Sequence, residues 1–509
     1  MRILISCRQS VYKELPYRRR GLQVKENVRD MVIKNRDELL SHGNINGRRA
    51  VLDILEAGLS AADPYENVRN LIRVENGKLI VGNDSIRPGR LAGLPATAKT
   101  PPPIDGPLVF DLSEVNNIYV VGGGKAAQRQ AKAIEDVLGD LITEGQVNAK
   151  KGDTVYLKRI NVTLAGHPIP DEDSVEGSQR ILDIERKAKK GDIVFLSESG
   201  GGSALMALPA PGISLEDLKM VNKVLYFGAG SSMPEANMVR NQLALLRIRH
   251  ARHVGDATLI HIATPEIPPR LRVHLHPSHL NSNGYDEAIE VLNHYKCWDK
   301  MSRSIRDFLL RADPQYGPLK PEEWDEKPRY YFRVMGPEYM MEAAKRKAAE
   351  LGLKARVLIS SWSDVDARAA GDTAAYIAQE AEYNREPIEP PCVLLSGGEL
   401  LVAVGEETGL GGRNEEFAVA AAPRIEESGN VVIASADSDG SDGPAKAAGG
   451  IVDGMTMKRA KAAGIDLFDV LRRHDSGTAM ENLGDAIVTG IRPTNVQDLR
   501  VIYVGGTKE

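Results

Sequence analysis

Cysteine is scarce. Three residues, Cys7, Cys297 and Cys392, stand far apart in 509. No CxxC pair exists, so neither a zinc ribbon nor a disulfide framework is supported, and a reduced, cytoplasmic setting is expected. Long apolar runs are missing as well; none approaches the ~20 residues that span a bilayer. Basic excess is lacking: 65 Lys and Arg face 70 Asp and Glu, for a formal net charge of -5. That balance argues against nucleic acid as the main partner. There is no repeat at a fixed period, no low-complexity tract and no Gly-x-Ser-x-Gly nucleophile elbow.

What is present is ample apolar material, 42% of the chain, over a length that suggests two domains. The first residues, MRILISCRQSVYKELPYRRR, hold too short an apolar patch for a signal-peptide core, and a cluster of Arg18, Arg19 and Arg20 follows. Residues 1–30 read as a poorly packed extension, with Met31 as the expected working start. A helical stripe of Val51, Ile54, Leu55 and Leu59 comes next, then a Pro-rich loop. Apolar strands then alternate with glycine loops and helices, the pattern of parallel sheets with covering helices. Residues 255–330 read as irregular substrate-side structure and a linker.

Several loops share one design, an apolar strand followed by glycines and a polar or charged residue. They are VVGGGKAA, SESGGGSALMALP, LLSGGELLVAV, GLGGRNEEFAVAAA and IASADSDGSDGPAKAAGG. Bare amides at helix starts bind anions, and ligands of open α/β sheets sit where such loops gather. Lys125 of GGGKAA stands at the positive end of a helix dipole, an unfavourable place for a cation. The Walker motif fails there, because Tyr119 occupies the first-glycine position and Ala126 follows the lysine. A dinucleotide fingerprint is formally present as Gly122, Gly124 and Ala127, with Glu144 near the distance of a ribose-binding acid. A phosphoryl group explains the lysine better, since an ammonium offsets its charge; a solvated surface lysine is the plain alternative.

Arg413 in GGRNEE is the second cation at a glycine-to-helix junction, with a planar fork suited to phosphate or carboxylate. Asp437, Asp439 and Asp442 alternate in a glycine loop, a pattern suited to Mg²⁺ and equally to Asx turns. Ser199 and Ser203 flank three glycines, Gly200, Gly201 and Gly202; Ser203 reads as a donor to a ligand or a helix cap. His167 in GHPIPDEDS stands at a strand end, as an acid, a base or a brace.

Together AADPYENV, VVGGGKAA, GHPIPDE, SGGGSAL with PGISLEDL, LSGGE, GGRNEEFA, SDGSDGPAKAAGGIVDG and TGIRPTNVQDL resemble the glycerate 2-kinases, whose C-terminal portion is the MOFRL domain. The resemblance covers residues 45–250 and 330–509. It implies two Rossmann-like α/β domains with mostly parallel sheets and an interdomain cleft. Residues 31–325 plus 475–509 would form the first domain and 326–474 the second. It also implies ATP- and Mg²⁺-dependent phosphorylation of D-glycerate to 2-phosphoglycerate, with Lys125 and Arg413 carrying the chemistry. On this reading Gly123, Gly124, Ser199, Gly200, Gly201, Gly202, Ser203, Gly397 and Gly398 cradle the nucleotide. Asn237, Arg240, Glu399 and Asn414 line the substrate side, and Asp437, Asp439 and Asp442 hold the metal. A homodimer stays open.

The sequence departs from the family pattern on the substrate side. The lysine-histidine pair and KGG expected after Arg240 are replaced by Asn241 and Gln242 onward; IATPEIPP and HLHPSHLNS stand for the SDVxGD- and SGPT-type loops; Glu415 replaces a glutamine. These changes leave the fold expectation intact and admit a related sugar acid as acceptor. An NAD(P)-dependent hydroxypyruvate reductase and a non-catalytic sugar-acid or nucleotide sensor remain the competing readings.

Overall fold

The computed structural model describes residues 31–83, 89–90, 105–246, 248–264, 284–319, 327–404, 409–494 and 496–506. The expected N-terminal extension and most of the departures beyond Thr264 lie outside the described residues.

A small antiparallel sheet of β1 (Ile72–Glu75), β2 (Lys78–Val81) and β4 (Leu108–Asp111) precedes two larger ones. The first of these has the order β3-β10-β9-β8-β5-β6-β7. Its strands are β3 (Gly89–Arg90), β5 (Ile118–Gly123), β6 (Glu144–Lys150), β7 (Asn161–Ala165), β8 (Ile193–Ser199), β9 (Thr258–Thr264) and β10 (Arg329–Arg333). All neighbours run parallel except β3 against β10. β5 is buried along its whole length and β8 at all but Glu198, with the apolar Ile193–Leu196 leading into polar residues at its carboxyl end, as a strand of a helix-covered parallel sheet requires. The helix Ala127–Leu138 packs on β5, β6 and β8, and the helix Glu172–Lys187 on β5, β6 and β7. The latter starts at Asp171, whose carboxylate accepts the Ser174 amide at 3.0 Å, while the Ser174 hydroxyl takes the Asp171 amide at 3.1 Å.

The second sheet has the order β11-β12-β16-β13-β14-β15. It comprises β11 (Lys354–Asp366), β12 (Cys392–Leu401), β13 (Val431–Asp437), β14 (Gly449–Asp453), β15 (Ala486–Ile487) and β16 (Asp498–Val504). Only β11 and β12 are parallel; the other pairs are antiparallel, so this sheet is mixed. The helices Ile45–Ala61 and Pro337–Glu350 pack on its β16 side together, and the helix Arg413–Ala421 packs on β13 and β14. One apolar cluster joins Leu52, Val432 and Leu499 of this layer to Ile118, Phe195 and Ile260 of the first sheet.

The C-terminal tail, expected beside the first half, supplies β16, the strand between β12 and β13, and β16 packs against the helix Ile45–Ala61 of that half. Its buried run LRVIYV has a partner on each side, so it belongs at a sheet interior. Residues 284–319, expected as irregular, hold the helices Tyr285–His294 and Arg303–Arg311, which share an apolar cluster with the helix Met233–Leu243.

Candidate active site

The two glycine loops of the first sheet are zipped together at the carboxyl ends of β5 and β8. The Lys125 amide donates to the Gly200 carbonyl at 2.9 Å, the Ala126 amide to Ser199 Oγ at 2.8 Å, and the Gly124 amide to the Asn148 carbonyl at 3.2 Å. Gly124, at φ +141°, is required because a β-carbon would lie 2.3 Å from Ser199 Oγ. The amides expected to cradle phosphate in GGGKAA are therefore engaged by protein acceptors. Gly123 is the last residue of β5. Gly202 opens a four-residue helix, Gly202–Leu205, with Gly201 as its N-cap, so Ser203 lies inside the helix and does not cap it.

The unfavourable position of Lys125 is resolved from across the molecule. Its ammonium pairs with Asp439 Oδ2 at 3.1 Å, from the loop that leaves β13 in the second sheet. The Asp439 amide in turn donates to Asp437 Oδ1 at 2.8 Å. Asp437 Oδ2 accepts from Arg413 Nη2 at 2.6 Å. The two cations singled out in the sequence thus meet through a short aspartate loop.

Arg413 begins the helix Arg413–Ala421 and is caged by carboxylates. Its Nε and Nη2 form a fork on Asp498 at 2.8 and 2.9 Å, and its Nη1 lies 3.1 Å from Glu399. Burial opposes its charge, but Asp498, Glu399 and Asp437 overcome that and raise its pKa well above the ordinary value. Burial, with the charges of Asp498 and Asp439, pushes Asp437 well above the usual carboxylate range despite Arg413. Asp498 goes the other way: burial opposes, and Arg413 and Arg500 prevail and lower it. Arg500 Nη2 donates to Asp498 at 2.7 Å, and its guanidinium lies 5.3 Å from the centre of the Phe417 ring.

Other expected site residues support this cluster from behind. Gly397 and Gly398 lie within β12, paired with Leu499 and Asp498 of β16, and the Gly398 carbonyl accepts from Arg500 at 3.1 Å. The Asn414 side chain turns inward, donating to Asp442 at 3.2 Å and accepting from the Ser435 hydroxyl. Asp442 caps the helix, taking the Asn414 and Glu415 amides at 2.9 and 2.7 Å. Asn237 and Arg240 pair with each other at 2.6 Å, and Arg240 also donates to Asn222 at 2.8 Å, within the helical layer. Their described partners do not include the Lys125–Arg413 cluster.

The three aspartates expected to hold Mg²⁺ do not fit that role as a set. Asp437 faces Arg413 and an amide, Asp439 faces Lys125 and Ser441, and both Asp442 oxygens face helix amides. Among the described residues no group of three or more His, Cys, Asp or Glu side chains is placed to hold a metal ion.

The dinucleotide reading loses its acid. Glu144 is the first residue of β6, level with Tyr119 at the start of β5 and so at the far end of the sheet from the glycines, where it pairs with Lys187 at 2.9 Å. Sequence reasoning missed Asp498, Arg500 and Arg492. Arg492 donates to the Ser438 carbonyl at 3.0 Å and to the Leu59 carbonyl at 2.9 Å, tying the aspartate loop to the helix Ile45–Ala61. All three lie in or just after TGIRPTNVQDL, a stretch noticed only as part of the resemblance.

A domain-of-unknown-function model, DUF4147, matches residues 50–310, and the MOFRL family model matches residues 392–498. A glycerate 2-kinase of Pyrococcus horikoshii is 34% identical over 89% of this chain and 98% of its own length. The chain belongs to the glycerate 2-kinase family. A D-glycerate 2-kinase of Thermotoga maritima is 34% identical over 76% of this chain and 90% of its own. The crystal structure of a glycerate kinase from that organism superimposes with a TM-score of 0.72 at 29% identity, over 90% of this chain and 99% of that one. Within this glycerate 2-kinase family member, the Lys125 and Arg413 loops come from the two different matched regions.

Proposed function

We propose that the chain is an ATP-dependent kinase that phosphorylates a small hydroxy acid, D-glycerate to 2-phosphoglycerate. The observation that carries the reading is the meeting of Lys125 and Arg413 through Asp439 and Asp437. Phosphoryl transfer asks the protein chiefly for position and for charge where charge develops. Lys125, on the β5 side, supplies an ammonium to the transferring phosphoryl; its three N–H donors let it keep Asp439 while it meets phosphate oxygen. Arg413 supplies a guanidinium whose orientation Asp498 fixes from behind. The SGGGSAL turn lies against Lys125 and borders the phosphates. The sheet β3–β10 forms the Lys125 side and the sheet β11–β16 the Arg413 side. We place the reaction in the cytoplasm, a setting that suits the buried free thiols Cys297 and Cys392.

The test is ADP release by the purified protein with D-glycerate, erythronate, tartronate and longer sugar acids, with the product identified by phosphorus NMR. The reading expects ADP and 2-phosphoglycerate in equal amounts with D-glycerate. No ADP with any acid contradicts it, and nicotinamide oxidation by hydroxypyruvate without ATP favours the reductase.

A further inference from the structure

The kinase reading leaves one chemical role unfilled: a group to take the proton of the hydroxyl that is phosphorylated. Around Lys125 and Arg413 the described carboxylates are already engaged. Glu399, Asp437 and Asp498 face Arg413, Asp439 faces Lys125, and Asp442 faces helix amides. Glu198, just before the SGGG turn, lies 2.8 Å from His261 Nε2.

His167 differs from all of them. It follows β7 at the carboxyl end of the first sheet, where ligands of such sheets bind. A β-carbon on Gly201, which has φ +86°, would lie 3.0 Å from His167 Cδ2 and Nε2 and 3.4 Å from Lys125 Cγ. The imidazole edge and the lysine stem therefore press on the same glycine of the SGGG turn. Among the described residues the His167 ring has no hydrogen-bond partner, although it is only partly exposed. In the tautomer with the proton on Nδ1, Nε2 is an acceptor.

We infer that His167 receives the proton of the acceptor hydroxyl, which binds between His167 Nε2 and the Lys125 ammonium. The inference rests on the kinase reading. In the step, the acceptor O–H bond breaks and an N–H bond forms at Nε2. The acceptor oxygen bonds to the γ-phosphorus, and the bond from that phosphorus to the bridging oxygen breaks, with its electron pair leaving on ADP. The surroundings keep the ring neutral beforehand. Burial, then the charges of Lys125 from the glycine loop and Lys150 from the end of β6, lower its pKa to about 4, against the opposing pull of Asp439 from the second sheet. A base must be unprotonated to act, and this one is so throughout the neutral range. Incoming phosphate charge offsets the repulsion from the two lysines and raises the affinity for the proton as transfer proceeds.

The experiment compares wild type, His167→Gln and His167→Ala with ATP and the best acid acceptor. The expected result is a fall in kcat of about 10²- to 10⁴-fold in both variants. Nucleotide Kd and thermal midpoint stay unchanged, the acid limb of the wild-type kcat–pH profile disappears, and added imidazole partly restores His167→Ala. A kcat within about threefold of wild type in both variants overturns the inference while leaving the kinase reading intact. So does joint loss of nucleotide binding and thermal stability without imidazole rescue, which marks a brace. A wild-type protein that phosphorylates no acid removes the kinase reading and this inference with it.

Discussion

At the scale of the residue, the site depends on what each charge faces. Arg413 uses its full fork, with Nε and Nη2 on Asp498, Nη2 also on Asp437, and Nη1 on Glu399. A lysine cannot reproduce that geometry. Arg413→Lys is expected to lower kcat by at least about 100-fold, on the scale of removing one transition-state donor. ADP-release kinetics on the folded variant checks this, and near-normal turnover counts against the role. Glu415 offers a separate residue-level test. Burial, then the charge of Asp442, pushes its pKa up to about 9, so it holds a proton at neutral pH. An unfolded glutamate releases that proton near pH 4.3. Between about pH 4.3 and 9 the native state binds more protons than the unfolded state, so this group makes stability fall as pH rises, by up to ~1.4 kcal/mol per unit. Glu415→Gln keeps the shape and removes the titration. Its thermal midpoint should gain on wild type steadily from pH 5 to pH 8; parallel curves refute the assignment.

At the scale of the element, the helix Ile45–Ala61 is bound to the second sheet by a buried network. Arg48 Nε lies 2.5 Å from Asp453 Oδ2 and Arg48 Nη1 2.8 Å from Asp485 Oδ1, and Arg459 and His42 also hold Asp485. Removing one partner leaves a buried charge uncompensated. Asp485→Ala should therefore lose about 3–5 kcal/mol in urea unfolding; a loss under about 1 kcal/mol contradicts the network's role. The sequence pattern made some of these elements legible and hid others. β5 and the helix Ala127–Leu138 follow from NIYVV, the glycines and the amphipathic run, because both are local. The place of β16 does not, since its apolar run says that it is buried but not between which strands. Asp442 read as a metal ligand because a carboxylate in a glycine loop carries no mark of the helix end it caps, whose amides lie in Asn414 and Glu415.

At the scale of the whole molecule, the chain builds its candidate site from two regions far apart in sequence. Lys125 and Asp439 are 314 residues apart, and Asp439 continues to Arg413 through Asp437. Each cation was recognisable in its own loop by type and setting. Their meeting was an expectation from family resemblance, because no local pattern encodes a contact between sheets. Asp498 was invisible for the same reason: its acid becomes meaningful only once β16 lies beside β12 and β13. In the proposed reaction Lys125 and Arg413 act together on one phosphoryl group. The most direct measurement is a double-mutant cycle in kcat with ATP and D-glycerate, using Lys125→Ala, Arg413→Ala and the pair. Joint action makes the double variant about as slow as the slower single one; losses that multiply as for independent sites, or a single variant with wild-type turnover, rule joint action out.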